Sequence, residues 1–285
     1  MSTPASRLAD TSSCSTHGIL GTVRPPCSHA VYLSGASGAR LTDLVECPSS
    51  HSSPIAEGVA MVLINGLPAA RMGNTTLDGS VLISGDPSVL IGGDLFSVPP
   101  FITIHGTVDF QAKVLRDLYL ISTTPSGERL FASLAATGHT VDIQIGSKSI
   151  DQSANGLTKS IPCLSEGSVK NNEDPNDPRA SNGTGIDSLV RYDPDRSTAG
   201  APDWGKPPNY GSDANLFHEL THADGMAHGQ MDSKLYPNAP STLLPFAKGG
   251  ERRAMGLSPY DDESKYPFSE NSYRGDRGYM KAPFY

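Results

Sequence analysis

Short aliphatic or β-branched runs closed by glycine dominate the first 97 residues. The segment AVYLSGASGARLTD (Ala30–Asp43) aligns without a gap with MVLINGLPAARMGN (Met61–Asn74), and LISGDPSVLIGG (Leu82–Gly93) matches IAEGVAMVLING (Ile55–Gly66). Each unit reads as a strand leading into a turn. Repeated strands too short to bury a face alone must stack on one another. The pattern changes after Phe96. Val98–Ile104 reads as a strand, and Phe110–Leu120 has helical spacing that lets Val114, Leu115, Leu118 and Tyr119 share a face. Arg129–Ala136 reads as a second helix ended by Gly138, and His139–Ile145 alternates, with Val141, Ile143 and Ile145 on one side. Residues 147–185 are polar and rich in Asn, Asp, Ser and Pro, the composition of a long mobile insertion. Ser188–Tyr192 is a short strand ending at Asp193-Pro194. A Pro/Gly loop, Ala199–Gly211, then leads into a helix with Ser212 or Asp213 as N-cap. The expected architecture is α+β in two domains, residues 1–97 and 98–285.

Composition narrows the class. Gly (29) and Pro (23) exceed their usual combined share of about 12%, which suits turn-rich β structure rather than a helical bundle. A formal net charge of -8 argues against nonspecific nucleic-acid binding, which needs basic patches to displace phosphate counterions. No apolar run approaches the ~18–20 residues of a membrane span. The N-terminus, MSTPASRLADTSS, lacks a basic start followed by an apolar stretch, so no Sec-type signal peptide is expected. Three of the four cysteines, Cys14, Cys27 and Cys47, lie in the first 50 residues among His17, His29 and His51; the fourth is Cys163. Without an export signal, mixed Cys and His at short range read as a metal site rather than a disulfide framework.

The helix after the Pro/Gly loop contains HELTH, residues 218 to 222. His218 and His222, four apart, project from one helix face and can bind one metal ion. Glu219 lies where a carboxylate can take the proton of water attacking a carbonyl. Leu216, Leu220 and Ala223 give the helix a side to pack. HExxH is short enough to occur by chance, with the two histidines as incidental surface residues. A zinc peptidase needs a third protein ligand, and two candidates follow. HELTHADGMAH extends the motif to HExxHxxGxxH, in which Gly225 would turn the chain and bring His228 to the metal. The rival is Glu251, in GGERRAMGL, on a later helix.

The order DSLVRYDPD, HELTHA, ERRAMGL, SENSYR and a closing aromatic tail resembles the NleD-like zinc metallopeptidase effectors, from about Ile102 to Tyr285. The resemblance implies a zincin-like α+β fold and a downstream glutamate as third ligand, here Glu251. It also implies that Glu270-Asn271-Ser272-Tyr273-Arg274, the family's Glu-Asn-x-x-Arg element, closes the pocket, with Tyr273 or Arg274 able to stabilise an oxyanion.

The unit ending in Pro68-Ala69-Ala70-Arg71 resembles the PAAR family over about residues 8–96. That family forms a small β cone sharpening the VgrG spike of the type VI secretion system, with three His and one Cys holding a zinc near its point. The resemblance implies a structural zinc on His17, His29 and His51, with Cys47 of CPSSH as the best thiolate and Cys14 and Cys27 as alternatives. A tapering tip has little hydrophobic core, so the metal would supply folding energy.

Together the halves imply an effector made in the bacterial cytoplasm and delivered on a VgrG spike trimer. It would hydrolyse protein in a recipient cell, with a cognate immunity protein as a further partner if that cell is bacterial. Two other readings remain at this stage: a spike cap with an inactive or binding extension, and a zinc amidase acting on cell-wall peptides.

Overall fold

A computed structural model describes residues 2–49, 51–145, 165–167, 178–195, 211–237 and 246–282. Cys163, most of the polar stretch 147–185 and the Pro/Gly loop up to residue 210 lie outside them. The chain forms two compact units, Met1–Val98 with Thr107–Tyr119, and Pro99–Gly106 with Leu120–Tyr285.

The first unit is built from short strands: β1 (Thr3–Ala5), β2 (Thr11–Ser13), β3 (Leu20–Arg24), β4 (Tyr32–Leu33), β5 (Ala36–Ser37) and β6 (Leu44–Cys47). They continue with β7 (His51–Pro54), β8 (Gly58–Ile64), β9 (Leu67–Ala69), β10 (Val81–Leu82), β11 (Asp86–Ile91) and β12 (Leu95–Phe96). A five-stranded sheet runs β10-β2-β3-β6-β7, a three-stranded one β12-β8-β9, and β1-β11 and β4-β5 pair separately.

Three equivalent segments close this unit on itself. The Ser6 N–H donates to Ala70 O, Ala39 N–H to Ser6 O, and Ala70 N–H to Ala39 O, at 2.9, 2.9 and 3.0 Å. The result is a closed ring of three fully buried residues. Beside each member lies the same turn, Arg7 to Asp10, Arg40 to Asp43 and Arg71 to Asn74. In each, the arginine backbone N–H donates to the side-chain oxygen of the fourth residue, at 2.8, 2.9 and 2.8 Å. The third residue has positive φ every time: 68° at Ala9, 76° at Thr42 and 96° at Gly73. That conformation is costly for Ala and Thr, and the side-chain oxygen bridging the turn compensates by mimicking a backbone bond. The N–H groups of these three residues then donate to the carbonyls of Val23, Ile55 and Leu82, whose side chains form the core with Cys27, Ala39, Val45 and Ala70. Sequence alignment found two of the copies and the correspondence of Leu82 with Ile55. It missed the first, Ser6–Asp10, because hairpins of unequal length separate each turn from its core residue and destroy an ungapped match.

In the second unit, β13 (Ile102–His105), β14 (Val141–Ile145) and β16 (Ser188–Tyr192) run parallel, and β15 (Ser165–Gly167) adds an antiparallel edge, in the order β13-β14-β16-β15. Parallel neighbours need a long crossover. Here α1 (Val108–Ser122, which spans the division between the units) and α2 (Pro125–Thr137) lie between β13 and β14 in the chain. Thr124 caps α2 by accepting from the Gly127 N–H, Pro125 fills its first turn, and Gly138 ends it at φ 74°. The helix α3 (Ser212–Ala227) packs against α2, α4 (Gly249–Met255), α5 (Glu270–Asp276) and β16. The hairpin β17 (Leu235–Pro237) and β18 (Phe246–Lys248) leads directly into α4.

Two expectations change here. The N-cap of α3 is Gly211, without a side-chain cap. Asp213 instead accepts from the Tyr273 hydroxyl and from Arg277 Nε at 3.2 Å, while its carboxylate stays against Gly211, where a Cβ would stand 2.0 Å from Oδ1. The end of the polar stretch is also held firmly: the Gly183 N–H donates to Gly229 O and the Met231 N–H to Ala180 O, which fastens residues 178–185 to the end of α3.

Candidate metal centres and active site

Every residue of α3 except Asn215 is buried, including the HELTH segment. His218 and His222, one turn apart, bring their Nε2 atoms to 3.1 Å. Glu251, in the first turn of α4, places Oε2 3.3 Å from His218 Nε2 and 3.1 Å from His222 Nε2. The approach of α4 depends on glycine. A Cβ on Gly249 would stand 2.2 Å from Asp232 Oδ2, and one on Gly250 would press on Met231 Cε at 3.2 Å. Three donors at these separations fit one face of a tetrahedron, since metal–ligand bonds of about 2.0–2.1 Å give edges of about 3.3 Å. Among the described residues no fourth protein donor joins this group, which leaves a corner open as in a catalytic rather than a structural zinc site.

The electrostatics favour a cation. Burial lowers the proton affinity of His218, but hydrogen bonds to Glu251 and Glu270 outweigh it and raise its pKa to about 10. Burial pushes the Glu251 carboxyl up, yet His222 and His218 outweigh it and hold the group well below the usual carboxylate range. The charge of Glu219, itself buried, acts on His218 in the same direction.

The remaining sequence candidates sit elsewhere. Gly225 does not turn the chain, because α3 continues to Ala227 with His228 as its C-cap. His228 Nε2 lies 3.0 Å from Ser133 Oγ and 3.4 Å from an Asp224 oxygen, away from the His218–His222–Glu251 group. Asp224 also holds Arg253, through Nη2 at 3.0 Å. Tyr273 and Arg274, expected to stabilise an oxyanion, are both fully buried and are engaged by other side chains. Tyr273 stacks on Phe217 at 4.6 Å between centroids and donates to Asp213. Burial and the Asp213 charge hold its hydroxyl well above the usual phenol range. Arg274 donates through Nε and Nη2 to Glu270 Oε1 and through Nη1 to Met280 O. Glu270 Oε2 lies 2.8 Å from His218 Nδ1. Asn271 clamps Ala282, donating to its carbonyl and accepting from its N–H. The Glu-Asn-x-x-Arg element therefore braces the back of a histidine. Glu270 is the site residue that sequence reading missed as an individual, though the motif containing it was visible.

A second cluster lies in the first unit. Cys14, His17, Cys47 and His51 bring four donor atoms within 4.8 Å of one another. Cys14 Sγ and Cys47 Sγ stand 3.5 and 3.4 Å from His17 Nδ1, and Cys14 Sγ is 3.9 Å from His51 Nε2. Zinc bonds of about 2.3 Å to sulfur and 2.0–2.1 Å to nitrogen give a mixed edge of about 3.5 Å, so these residues fit a closed tetrahedral site. Strand register explains the convergence. Cys47 faces His51 across the β6–β7 hairpin, and Cys14 and His17 lie in the turn between β2 and β3. A third turn, Thr76–Ser80, supplies Asp78, whose Oδ2 lies 2.9 Å from His51 Nε2. Burial raises the Cys14 thiol, but hydrogen bonds from Cys47 and His17 outweigh it and bring it to about 6. Burial holds Cys47 above its ordinary value.

His29, expected among the ligands, is outside this cluster. Its neighbour Ser28 donates to Asn65 Oδ1 at 2.7 Å, which fixes that loop beside the β8–β9 turn, and Cys14 stands in the cluster in its place. Cys27 belongs to the core; burial pushes its thiol up to about 12.

No helix among the described residues is long and apolar enough to cross a membrane. No curated protein matches the chain. Residues 11–84 match the PAAR motif. Residues 99–285, carrying α3, α4 and α5, match Peptidase M91, a family described as effector protein. With about two thirds of its length in that match, the chain belongs to the Peptidase M91 family of effector proteins and joins a peptidase domain to a PAAR tip.

Proposed function

We propose that this chain is a zinc-dependent peptidase effector, carried on the tip of a type VI secretion spike and hydrolysing peptide bonds of a protein in the recipient cell. The observation that carries the peptidase half is the three-donor face of His218, His222 and Glu251, with the HExxH glutamate Glu219 beside it. Zn²⁺ held there would polarise a scissile carbonyl and make water a usable nucleophile near neutral pH. Glu219 takes the proton of the attacking water and later hands it to the leaving amine, the role its place beside His218 suits. Burial of His218 and His222, with Glu251 only partly exposed, strengthens their hold on a cation.

The tip half rests on the PAAR match and on the threefold ring of Ser6, Ala39 and Ala70. A pseudo-threefold unit suits the blunt end of a VgrG trimer, since each copy of the turn can meet one subunit. Cys14, His17, Cys47 and His51 would hold a structural zinc there, closed to outside ligands. A cognate immunity protein would accompany the effector if its target is bacterial. The test compares the new protein N-termini produced in recipient-cell extract by wild type and by Glu219→Gln. Termini unique to wild type are expected; identical sets would reject the peptidase assignment.

A further inference from the structure

The buried trio Arg274, Glu270 and His218 is arranged asymmetrically. Arg274 donates through Nε and Nη2 to Glu270 Oε1, while Glu270 Oε2 lies 2.8 Å from His218 Nδ1. All three side chains are buried, Arg274 and Glu270 completely. Arg274 is also anchored from behind by Met280 O, which accepts from Nη1 at 2.9 Å. An arginine can only donate hydrogen bonds and an ionised carboxylate can only accept them. The proton shared with His218 must therefore sit on Nδ1. When His218 binds a metal and gives up its other ring proton, that leaves its lone pair on Nε2, the atom facing His222 and Glu251.

We infer that Glu270, held by Arg274, is a positioning residue that fixes the tautomer and ring orientation of His218 for metal binding. The inference rests on the metal-centre reading of His218, His222 and Glu251. It makes an unusual demand of the isosteric amide. In Glu270→Gln the anchored Arg274 still requires an acceptor, so the amide oxygen turns toward it and the NH2 group faces His218. Nδ1 must then accept, the ring proton moves to Nε2, and the donor facing the metal is lost. The amide keeps the shape of the site and reverses its proton, so it harms binding through hydrogen-bond direction alone. Removing the arginine in the same chain frees the amide to turn over and present its oxygen to Nδ1–H.

The test is zinc affinity of the full chain in competition with a chromophoric chelator, reading the equivalent of metal that His222→Ala loses. Glu270→Gln should weaken that equivalent by about 10- to 100-fold, the usual effect of losing a partner behind a ligating histidine. Glu270→Gln with Arg274→Met should recover most of the affinity. Wild-type affinity in Glu270→Gln, or no recovery in the double variant, would overturn the inference while leaving the metal centre intact. If His222→Ala loses no equivalent, the metal-centre reading itself fails. Should the variants not fold, nitrogen NMR of the His218 ring in the zinc-loaded wild-type chain decides the matter: a protonated Nδ1 is expected, and a bare or metal-bound Nδ1 would overturn it.

Discussion

The two metal-ligand clusters reach similar donor spacings by opposite means. In the first unit the donors come from hairpin turns, and strand register alone brings Cys47 opposite His51 and the β2–β3 turn beside them. Among the described residues the cluster has four donors, two of them thiols, and His17 is exposed. In the second unit a buried helix supplies two donors by its own period and a glycine-started helix supplies the third. A carboxylate lies behind one histidine and a second, Glu219, beside it. Thiols hold a metal without further help, whereas two imidazoles and one carboxylate need oriented protons and excluded water. The first arrangement suits permanence and the second suits exchange at an open corner.

The largest effect expected from this contrast is catalytic. Glu219→Gln should reduce hydrolysis by at least ~10²-fold, as for a deleted general base, with metal content and circular dichroism unchanged. Metal loss alongside the activity loss would make Glu219 a ligand and erase the distinction between holding and reacting. Next, Glu251→Ala should lower metal occupancy of the second unit, while His228→Ala should leave it near wild type, because His228 faces Ser133 and Asp224. Metal analysis giving the reverse order would reject the geometry described for α4.

In the first unit, Cys14→Ser should lose its metal equivalent and His29→Ala should keep it, with peptidase activity of the folded full-length chain unaffected by either. Hydrolysis that falls with the tip metal would mean the two centres are not independent. The smallest effect concerns Asp43, whose carboxyl is pushed up to about 7 by burial against the pull of Arg40. The folded state keeps this proton to higher pH than the unfolded chain, so stability declines as pH rises from about 4 to about 7. Asn74 fills the equivalent place in the third copy as a neutral residue. Asp43→Asn should therefore flatten the decline, measured as melting temperature against pH, and an unchanged slope would assign it to another group.

Legibility followed the length scale of each signal. HELTH was readable because two histidines on one helix turn are fixed by a local period. Glu251 is a candidate beside His228, and only a family resemblance separates the two, because no local period ties Glu251 to the histidines. The orientation of Tyr273 and Arg274 is hidden for a related reason. A motif shows that residues act together and does not show which way they face, and here they face inward, toward Asp213 and Glu270. His29 is expected because the resemblance implies three histidine ligands and residues 1–97 hold only His17, His29 and His51, which leaves Cys14 as an alternative to Cys47. Hairpin register, which brings Cys14 and Cys47 together and leaves His29 out, is set by the pairing of β2, β3, β6 and β7.

The ring of Ser6, Ala39 and Ala70 also governs how the first unit comes into being. Each member bonds to residues more than thirty positions away, so no copy of the turn can mature by itself. Two long chain closures must be made before any of the three bonds has its neighbour, and their entropic cost comes before the reward. The unit should therefore assemble in one late, concerted step. During synthesis that step waits until the strand after Asn74 has left the ribosome, with the edges of the earlier hairpins exposed to pairing with other chains meanwhile.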